Sequence, residues 1–492
     1  MASIDRKSPI PIYHQLKTLV REQIEKGLWS PGDRIPTEHE LCDLYDISRS
    51  PVRQALKELA YEGVLVRRPG LGTFVDGNAA EGSVSHTPIR VMSSDPHWFS
   101  VLDRAADVWN AEHPHLPITF QVDLVDHSLF YNLLSAAVGS GVAPDLAMVD
   151  GVWVAGLAQA GFLYALSDFV SDLEEEGRDL VQDLYPAFVE ANSLDGKLYG
   201  FPLKADVSLL WYRRDWFAQE GLQPPRTWDD LIAVGRHFLQ DSVRERYGLE
   251  YPLAFPGGVA GGEATVYNLM PFIWSAGGGI FDGQMDRVIF DSPATRRAVQ
   301  FLLDVVNVHH ISSPEVVYYD EHVTPRLFAS GKVAMALGGS YESSLIREVS
   351  GWDQERFSEL AGFVSPPAPS GAQPISTVGG TSYVILRQCP SPALVMKVLE
   401  LTVRPDIVGH VYCSMLLHLP RLSFDEFIST EADPLLTRTS RMLASGRARP
   451  SRPEYVKVSR QLQAMFKAAI SGAAPVDEIV SRTAGFINVL RD

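Results

Sequence analysis

Residues 77–87 read Gly-Asn-Ala-Ala-Glu-Gly-Ser-Val-Ser-His-Thr and contain almost nothing that a hydrophobic core could bury. The hydrophobic pattern differs on the two sides of this stretch, so we interpret it as a linker between an amino-terminal head and a much larger body. Fully extended, it spans at most about 36 Å, and we therefore expect head and body to stay close together. The 492 residues are enough for about three compact units.

In the first part of the head, residues 1–76, the apolar residues have the spacing that is typical of helices. Over 12–26 the apolar residues recur on one helical face, which predicts the first helix. Thr37 and Glu40 have the pattern of a capping box, in which each side chain accepts a hydrogen bond from the backbone N–H of the other residue. This pair predicts the start of a short second helix.

A third helix is expected to begin at Ser48 or Ser50, and it exposes residue types that suit DNA. Arg49, Ser50 and Arg53 point away from its apolar stripe. Arginine can donate paired hydrogen bonds to a guanine edge, and serine suits phosphate oxygens. The alternative is a solvated helix with ordinary surface charge, and charge alone does not decide between the two.

A β-hairpin is predicted from strands at 64–67 and 73–75, with Pro69-Gly-Leu-Gly72 as the turn of a wing. Together with Pro31-Gly-Asp-Arg34 and Ile47-Ser-Arg-Ser-Pro-Val-Arg-Gln-Ala-Leu56, this hairpin closely resembles the winged helix-turn-helix head of the GntR family of bacterial regulators. The resemblance covers nearly the whole head without an evident gap.

The GntR resemblance implies sequence-specific binding of a homodimer to a two-fold operator in double-stranded DNA. His39 stands where some members of the family have a basic residue that contacts DNA. The DNA-binding residues that the resemblance implies are Arg34, His39, Ser48, Arg49, Ser50, Arg53 and Gly70.

The body alternates strands with helices from Pro88 onward. The elements predicted first are strands at 89–92, 118–125 and 146–149 and helices at 99–110, 129–138 and 152–161. This alternation is typical of an α/β fold and predicts a mostly parallel sheet covered by helices.

Short motifs in the body resemble, in their order, the maltose-binding-type (family 1) ABC solute-binding proteins. They include Gly196-Lys-Leu-Tyr-Gly-Phe-Pro202, Leu210-Trp-Tyr-Arg-Arg-Asp215 and Phe328-Ala-Ser-Gly-Lys-Val-Ala-Met335. The resemblance implies a multidomain chain, in which the α+β winged helix is followed by a two-lobed α/β domain of the periplasmic-binding-protein type. We place this effector domain at 88–492, with one lobe at about 88–203 and 379–435 and the other at about 204–378 and 436–492.

Sugar-binding clefts use aromatic faces against ring carbons and carboxylates against hydroxyl pairs. Asp150 and Trp153 follow a predicted strand, and Asp206 matches a ligand-binding carboxylate of the maltose-binding class. Packing in the core is the alternative for each candidate, and we assign Trp211, Trp216 and Trp228 to packing because they lie inside predicted strands or helices. The ligand-binding residues that we predict are Trp98, Asp150, Trp153, Asp206, Tyr267, Trp274 and Tyr341.

The charge of the chain is unevenly distributed. Residues 1–77 contain 11 Lys and Arg and 11 Asp and Glu, so the rest of the chain carries the whole net charge of −17. An acidic body repels phosphate backbones, which leaves any DNA contact to the head. Met1-Ala-Ser-Ile-Asp-Arg-Lys7 is not a signal peptide, and no run of about 18 apolar residues occurs, so we expect a cytoplasmic protein without a membrane partner.

We predict a ligand-responsive transcription regulator, not an enzyme, which senses a sugar or oligosaccharide and controls genes of carbohydrate uptake or catabolism. The three cysteines have no disulfide or metal-binding pattern, and we expect no cofactor. The alternative is a pyridoxal-phosphate aminotransferase-like body, whose candidate Schiff-base residue, Lys332, also fits the solute-binding pattern. The acidic pairs Asp229/Asp230 and Asp282/Asp286 are interpreted as solvated charges rather than as hydrolytic groups.

Overall fold

The computed structural model describes residue 4 and residues 12–30, 32–61, 64–68, 72–75, 86–168, 181–283, 287–404, 407, 418–422, 424 and 434–491. Most of the predicted linker, 77–87, lies outside these residues, as does Gly70 of the predicted wing. The chain forms two compact units, Met1–Phe130 and Tyr131–Asp492. Among the described helices, none is both long and apolar enough to cross a bilayer.

The helices are α1 Ile12–Glu25, α2 Glu38–Tyr45, α3 Arg49–Tyr61, α4 Phe99–Glu112, α5 His127–Gly139, α6 Val154–Gln159, α7 Pro186–Ala191, α8 Arg214–Gln219, α9 Trp228–Phe238, α10 Asp241–Tyr247, α11 Glu263–Ser275, α12 Pro293–Asn307, α13 Val323–Ala329, α14 Ser343–Ser350, α15 Gln354–Leu360, α16 Pro392–Leu401, α17 Pro434–Ser445, α18 Tyr455–Ile470 and α19 Val476–Arg491.

The strands are β1 Leu65–Arg68, β2 Gly72–Val75, β3 Thr87–Ser93, β4 Ile118–Leu124, β5 Leu146–Asp150, β6 Ser193–Leu194, β7 Lys197–Leu198, β8 Phe201–Arg213, β9 Tyr251–Ala254, β10 Val333–Gly339, β11 Ala361–Val364, β12 Thr377–Ile385 and β13 Arg447–Ala448.

The amino-terminal part of the first unit is a three-helix head with a hairpin, as predicted. Thr37 and Glu40 form the predicted capping box at the start of α2, and the helix ends at Asp46, whose backbone is left-handed. Strands β1 and β2 pair antiparallel, with Leu65 opposite Val75. The head has its own core, made of Leu16, Val20, Ile35, Leu41, Val52, Ala55, Leu56, Leu59, Leu65 and Val75.

The carboxyl-terminal part of the first unit contains β3, α4 and β4. The two strands pair in parallel, from Thr87 opposite Ile118 to Ser93 opposite Leu124. Helix α4 connects them and buries Val101, Leu102 and other apolar side chains. This is the βαβ arrangement that the alternating pattern predicts.

The sheet of the second unit has the order β5-β12-β8-β10-β9, with β11 on β8 and β13 on β12. Strand β12 is antiparallel to both β5 and β8, and β10 is antiparallel to β8 but parallel to β9. The prediction of a mostly parallel sheet is therefore wrong for this unit. The reason is that β8 runs antiparallel to β12, β10 and β11, while β12 also runs antiparallel to β5.

Strand β8 belongs to two regions of this sheet. Residues 201–207 pair with β12, whereas residues 208–212 pair with β10 and 210–213 pair with β11. The first part of β8 contributes Ala205 and Val207 to a small core, and the second part contributes to a large core that also contains α9, α11, α12, α18 and α19. The site described next lies on the first part of β8.

The predicted packing tryptophans are buried, as expected. Trp211 of β8 is fully buried. Trp216 lies in the first turn of α8 and Trp228 is the first residue of α9, and each has less than a tenth of its surface exposed. Trp228 stacks on Phe301 with ring centres 4.3 Å apart. These residues support the second unit and do not line the site.

Candidate functional sites

A buried carboxylate, a tyrosine and an arginine meet at the first part of β8. Asp206 on β8 accepts a hydrogen bond from the hydroxyl of Tyr267 on α11, with 2.7 Å between the oxygens. The guanidinium of Arg449, just after β13, lies 5.2 Å from the centre of the Tyr267 ring. All three residues are less than a tenth exposed, so their polar groups interact in a poorly hydrated environment.

Arg449 links this group to two more carboxylates. Its Nη1 lies 2.6 Å from Oε1 of Glu263 at the start of α11, and its Nη2 lies 3.4 Å from Oδ1 of Asp150 at the end of β5. Glu263 also accepts hydrogen bonds from the hydroxyls of Tyr455 and Ser459 on α18. One guanidinium thus holds three separate segments of the second unit together.

The burial of this cluster changes the pKa values of its members. Burial raises the pKa of Asp206, against the lowering effects of the Lys204 charge and the Tyr267 hydrogen bond. Burial likewise raises the pKa of Glu263. For Arg449 burial disfavours the charged form, but the carboxylates of Asp150 and Glu263 outweigh it and raise its pKa. Arg449 therefore stays cationic.

Aromatic side chains lie beside the charged groups. Tyr341 belongs to the turn after β10, and its ring centre is 5.9 Å from that of Tyr267. The ammonium of Lys204 is 5.9 Å from the Tyr341 ring centre. Burial raises the pKa of both tyrosines well above the usual value, so their hydroxyls remain neutral donors.

A small recess opens next to the cluster, with a volume of about 20 Å³, which is room for about one water molecule. Gly379 is required in its wall, because a Cβ there would lie 2.8 Å from Nη2 of Arg449 and 3.1 Å from Tyr267. A Cβ on Gly380 would lie 1.7 Å from the carbonyl oxygen of Lys204. The recess is lined by Asp150, Gly151, Val152, Ala187, Phe188, Ala191, Val378, Gly379, Gly380, Ala448 and Arg449.

Four of the predicted ligand-binding residues come together in this place: Asp150, Asp206, Tyr267 and Tyr341. A fifth, Trp153, ends the turn whose first two residues line the recess, and its ring meets that of Tyr131 edge-on at 5.7 Å. The structure thus brings acidic and aromatic side chains from distant parts of the sequence into one cluster, and of these five residues Asp150 lines the recess.

Of the other two predicted ligand-binding residues, Trp274 lies away from this cluster within the second unit, and Trp98 belongs to the first unit. Trp274 is two turns beyond Tyr267 on α11, which is about 10 Å along the helix axis, and its ring faces the guanidinium of Arg447 at 5.0 Å. It is buried in the large core of the second unit. Trp98 belongs to the first unit and is almost fully buried there.

Arg449, Glu263 and Tyr455 were not identified from the sequence. The nearest signal was the Gly379-Gly380 motif, which marks a close approach of the backbone to other groups without naming them. A second signal is the segment Arg447-Ala-Arg-Pro-Ser-Arg-Pro453, where arginines recur in a stretch too rich in proline for a helix.

The head exposes most of the residues that the sequence relates to DNA. Arg49 begins α3, Ser48 directly precedes it, and Arg53 lies one turn further on, all with exposed side chains. Ser50 lies in the first turn of the same helix. The Nε of Arg53 donates a hydrogen bond of 3.0 Å to Oε2 of Glu38 on α2.

The remaining DNA candidates lie on α2 and near β2. His39 is exposed and its Nδ1 is 2.9 Å from a carboxylate oxygen of Asp43. Arg34 forms a backbone bridge to Phe74 of β2, and its guanidinium stem lies so close to Gly72 that a Cβ there would be 2.8 Å from Nε. Arg34 therefore lies beside β2, the second strand of the predicted wing, whose tip at Gly70 is outside the described residues.

Residues proposed for enzymatic alternatives have ordinary surface roles. Lys332 is 46% exposed and lies 3.3 Å from Glu250, unlike a lysine enclosed around a cofactor. Asp230 caps α9, and Asp282 pairs with Arg287. Asp286 is outside the described residues. Within the part of the chain that the structure describes, no cluster of His, Cys, Asp and Glu could hold a metal ion.

Comparison with known proteins relates both parts of the chain to families. The sequence profile of the bacterial extracellular solute-binding proteins matches residues 99–406. The profile of the bacterial regulatory proteins of the gntR family matches residues 12–75. The resemblances seen in the sequence are thereby confirmed, and the aminotransferase-like alternative is not favoured.

Individual proteins match one part or the other. The histidine utilization repressor of Klebsiella aerogenes is 47% identical over 70 residues, which are 14% of this chain and 29% of that protein. The maltotriose-binding protein of Pyrococcus abyssi (strain GE5 / Orsay) is 22% identical over 253 residues, 51% of this chain and 49% of that protein. The chain thus covers less than half of each of these two relatives.

A solved structure confirms the predicted fold of the body. An ABC transporter solute-binding protein from Thermotoga lettingae TMO, bound with alpha-D-tagatose, matches with a TM-score of 0.71 and 24% identity, over 82% of this chain and 100% of that chain. The body therefore has the two-lobed α/β fold of solute-binding proteins. The chain belongs to the bacterial extracellular solute-binding protein family and carries, ahead of that fold, the winged helix-turn-helix head of the gntR family of bacterial regulatory proteins.

Proposed function

We propose that the protein is a transcription regulator whose head binds an operator in double-stranded DNA and whose body senses a carbohydrate. The observation that carries this proposal is the presence of a gntR-type head and a solute-binding fold in one chain. A body of this fold supplies a ligand site, and a head of this family supplies a DNA-binding surface. We propose 1–76 as the DNA-binding domain and 88–492 as the effector domain, with no catalytic role for either.

The chemistry around the recess supports a polyhydroxylated ligand. Asp206 and Asp150 can accept hydrogen bonds from sugar hydroxyls, and Arg449 can donate them, whereas the hydroxyl of Tyr267 already donates to Asp206 and can accept one. The rings of Tyr341 and Trp153 are suited to the C–H faces of a sugar. The recess itself has a volume of about 20 Å³, which is room for about one water molecule, so binding a sugar here requires the surrounding groups to move apart. The names of two similar proteins include maltotriose and tagatose.

The charges of the head support the DNA-binding part of the proposal. Arg49 and Arg53 are exposed on the same side of α3, and Arg34 lies beside β2 of the wing. We propose that two copies of the chain bind as a homodimer, because operators of this type repeat their half-sites about every 34–36 Å and so require two heads. Arg34, His39, Ser48, Arg49, Ser50, Arg53 and Gly70 are the proposed contacts.

Ligand and DNA binding would be coupled through closure of the lobes. Sugar binding would bring them together and change the distance between the two heads, and so the fit to the operator. A 100-fold change in DNA affinity requires a coupling free energy of about 2.7 kcal/mol, which is an ordinary value for allosteric proteins. We propose that the controlled genes serve carbohydrate uptake or catabolism inside the cell.

Two experiments on the full-length protein test this proposal. A thermal-shift screen against monosaccharides, oligosaccharides and polyols is expected to find a ligand that adds about 2.7 kcal/mol of stability at 100 times its Kd. Selection from a randomised duplex library is expected to enrich a two-fold symmetric sequence. A sample that no carbohydrate stabilises would contradict the sensing role, and one that enriches no duplex would contradict the regulatory role.

A further inference from the structure

A carboxylate stands among the residues of the head that are proposed to contact DNA. Glu38 is the first residue of α2, and its side chain is 33% exposed. Its Oε2 accepts the hydrogen bond from Nε of Arg53 on α3, at 3.0 Å, across 15 positions of sequence. A carboxylate on a surface that approaches phosphates is unfavourable by itself, so its presence there requires a physical reason.

Stability alone is a weak reason for this ion pair. The side chain of Arg53 is 68% exposed, and exposed ion pairs contribute about 0–1 kcal/mol to folding. The position of Glu38 in the first turn of α2 is favourable for an acid because of the helix dipole, but Glu40 occupies the same turn and already serves the capping box.

The geometry of the hydrogen bond supplies another reason. Glu38 engages Nε, which leaves the two terminal nitrogens of Arg53 outside this hydrogen bond and available as a pair of donors. Paired donors in this arrangement match the O6 and N7 atoms of guanine in the major groove. A free arginine side chain would have to be ordered during binding, at a cost of about 0.5–1.5 kcal/mol.

We infer that Glu38 is a positioning residue for DNA recognition, which holds the Arg53 guanidinium in the orientation that reads a base. The inference rests on the proposed function. It predicts opposite effects on two kinds of DNA, because Glu38 repels every phosphate backbone but improves the fit of Arg53 to one sequence only.

The test measures the Kd of full-length protein for two fluorescein-labelled duplexes, the one enriched from the randomised library and a scrambled duplex of the same composition. In Glu38→Ala the ratio of the two affinities is expected to fall about 2- to 10-fold, the range for ordering one long side chain. Binding to the scrambled duplex is expected to stay equal or to tighten. Glu38→Gln keeps an acceptor oxygen for Nε, so the ratio of the two affinities is expected to fall less than in Glu38→Ala.

Two further variants isolate the effect. In an Arg53→Ala background, Glu38→Ala is expected to leave the ratio unchanged, because there is no guanidinium to orient. Glu22→Ala removes an acid of α1 that pairs with Lys26 and is not among the proposed contact residues, and it is the matched control.

An unchanged ratio in Glu38→Ala would overturn the inference and leave the proposed function standing. So would an equal fall of the ratio in the Arg53→Ala background, or a loss of binding to both duplexes together with a lower melting temperature. If the wild-type protein itself fails to prefer the enriched duplex, both this inference and the proposed function are overturned.

Discussion

Asp206 combines burial, a tyrosine donor and nearby cations, and its raised pKa has a measurable consequence. An ionised carboxylate is a stronger hydrogen-bond acceptor than a protonated one. Sugar binding therefore favours the ionised form, and affinity should fall as the pH is lowered through the pKa of Asp206. Because burial raises that pKa, the loss begins at a higher pH than for an ordinary aspartate of pKa about 3.9.

This first prediction is checked by calorimetric titration, between pH 7 and pH 4.5, of the carbohydrate that stabilises the protein. Asp206→Asn should bind at least about 10-fold more weakly at pH 7, since hydrogen bonds to charged groups contribute about 1.5–3 kcal/mol. Its remaining affinity should depend less on pH. Glu263 also has a raised pKa and faces the same arginine, so Glu263→Gln is measured alongside. A pH profile identical in wild type and Asp206→Asn would refute the assignment.

The second prediction concerns Gly379, whose missing side chain leaves room for Arg449 and Tyr267. Gly379→Ala should weaken carbohydrate binding about 10-fold or more, because a Cβ 2.8 Å from Nη2 forces the guanidinium to shift. Gly485→Ala in α19 is the control, since a Cβ there meets nothing within 4 Å and should stabilise the helix by about 0.5–1 kcal/mol. Calorimetry gives the Kd and the melting temperature of each, and an unaltered Kd in Gly379→Ala would remove the recess from the site.

Some residues of the candidate site could be predicted from the sequence and others could not. Asp206, Tyr267 and Tyr341 were found through a resemblance to a family, not through spacing. Arg449 was missed because its carboxylate partner Asp150 lies 299 positions away and Glu263 lies 186 positions away. No local pattern connects residues at such separations, since only the folded chain brings them within hydrogen-bonding distance.

Helix α2 shows how a single cap can support a short element. It has eight residues, too few to be stable alone in water, and Thr37 and Glu40 satisfy two of its free backbone N–H groups. We predict that Thr37→Ala destabilises the head by about 1 kcal/mol, within the usual range of about 0.5–2 kcal/mol for a lost cap.

The same capping box begins α9 in the second unit, where Thr227 and Asp230 exchange hydrogen bonds. Thr227→Ala is therefore the matched control. Deleting the head identifies which thermal unfolding transition belongs to it. Scanning calorimetry should show that Thr37→Ala lowers the midpoint temperature of that transition, and that Thr227→Ala lowers the midpoint temperature of the transition of the second unit. If both changes shift the same transition, the head does not unfold as a separate unit.

The elements of the head were predictable because their signals are local. Amphipathic spacing and the cap of α2 lie within a few residues of each other, and the hairpin follows from two short apolar runs. The direction of β8 and β12 was not predictable, since a buried strand has the same run of apolar residues whether its neighbours are parallel or antiparallel. Only the pairing of β12 with both β5 and β8 reveals the mixed sheet.

For the whole molecule, the proposed regulator must connect two binding events. We predict that the enriched duplex changes the Kd of the carbohydrate by the same factor by which the carbohydrate changes the Kd of the duplex, because binding free energies around a closed cycle are reciprocal. The expected factor is about 5- to 150-fold, from a coupling of about 1–3 kcal/mol. Fluorescence anisotropy on the duplex and calorimetry on the sugar measure the two sides. A sugar Kd unaffected by saturating duplex would separate the two functions.

The pairing of β8 with β12 in its first part and with β10 and β11 in its second part has a consequence for how the second unit unfolds. Its residues 201–207 complete one hydrogen-bonded network and 208–213 complete another, so melting either network would leave the other with an open strand edge. Unfolding should consequently be cooperative across Tyr131–Asp492, and gene fragments that encode only one side of β8 should yield insoluble products instead of half-proteins.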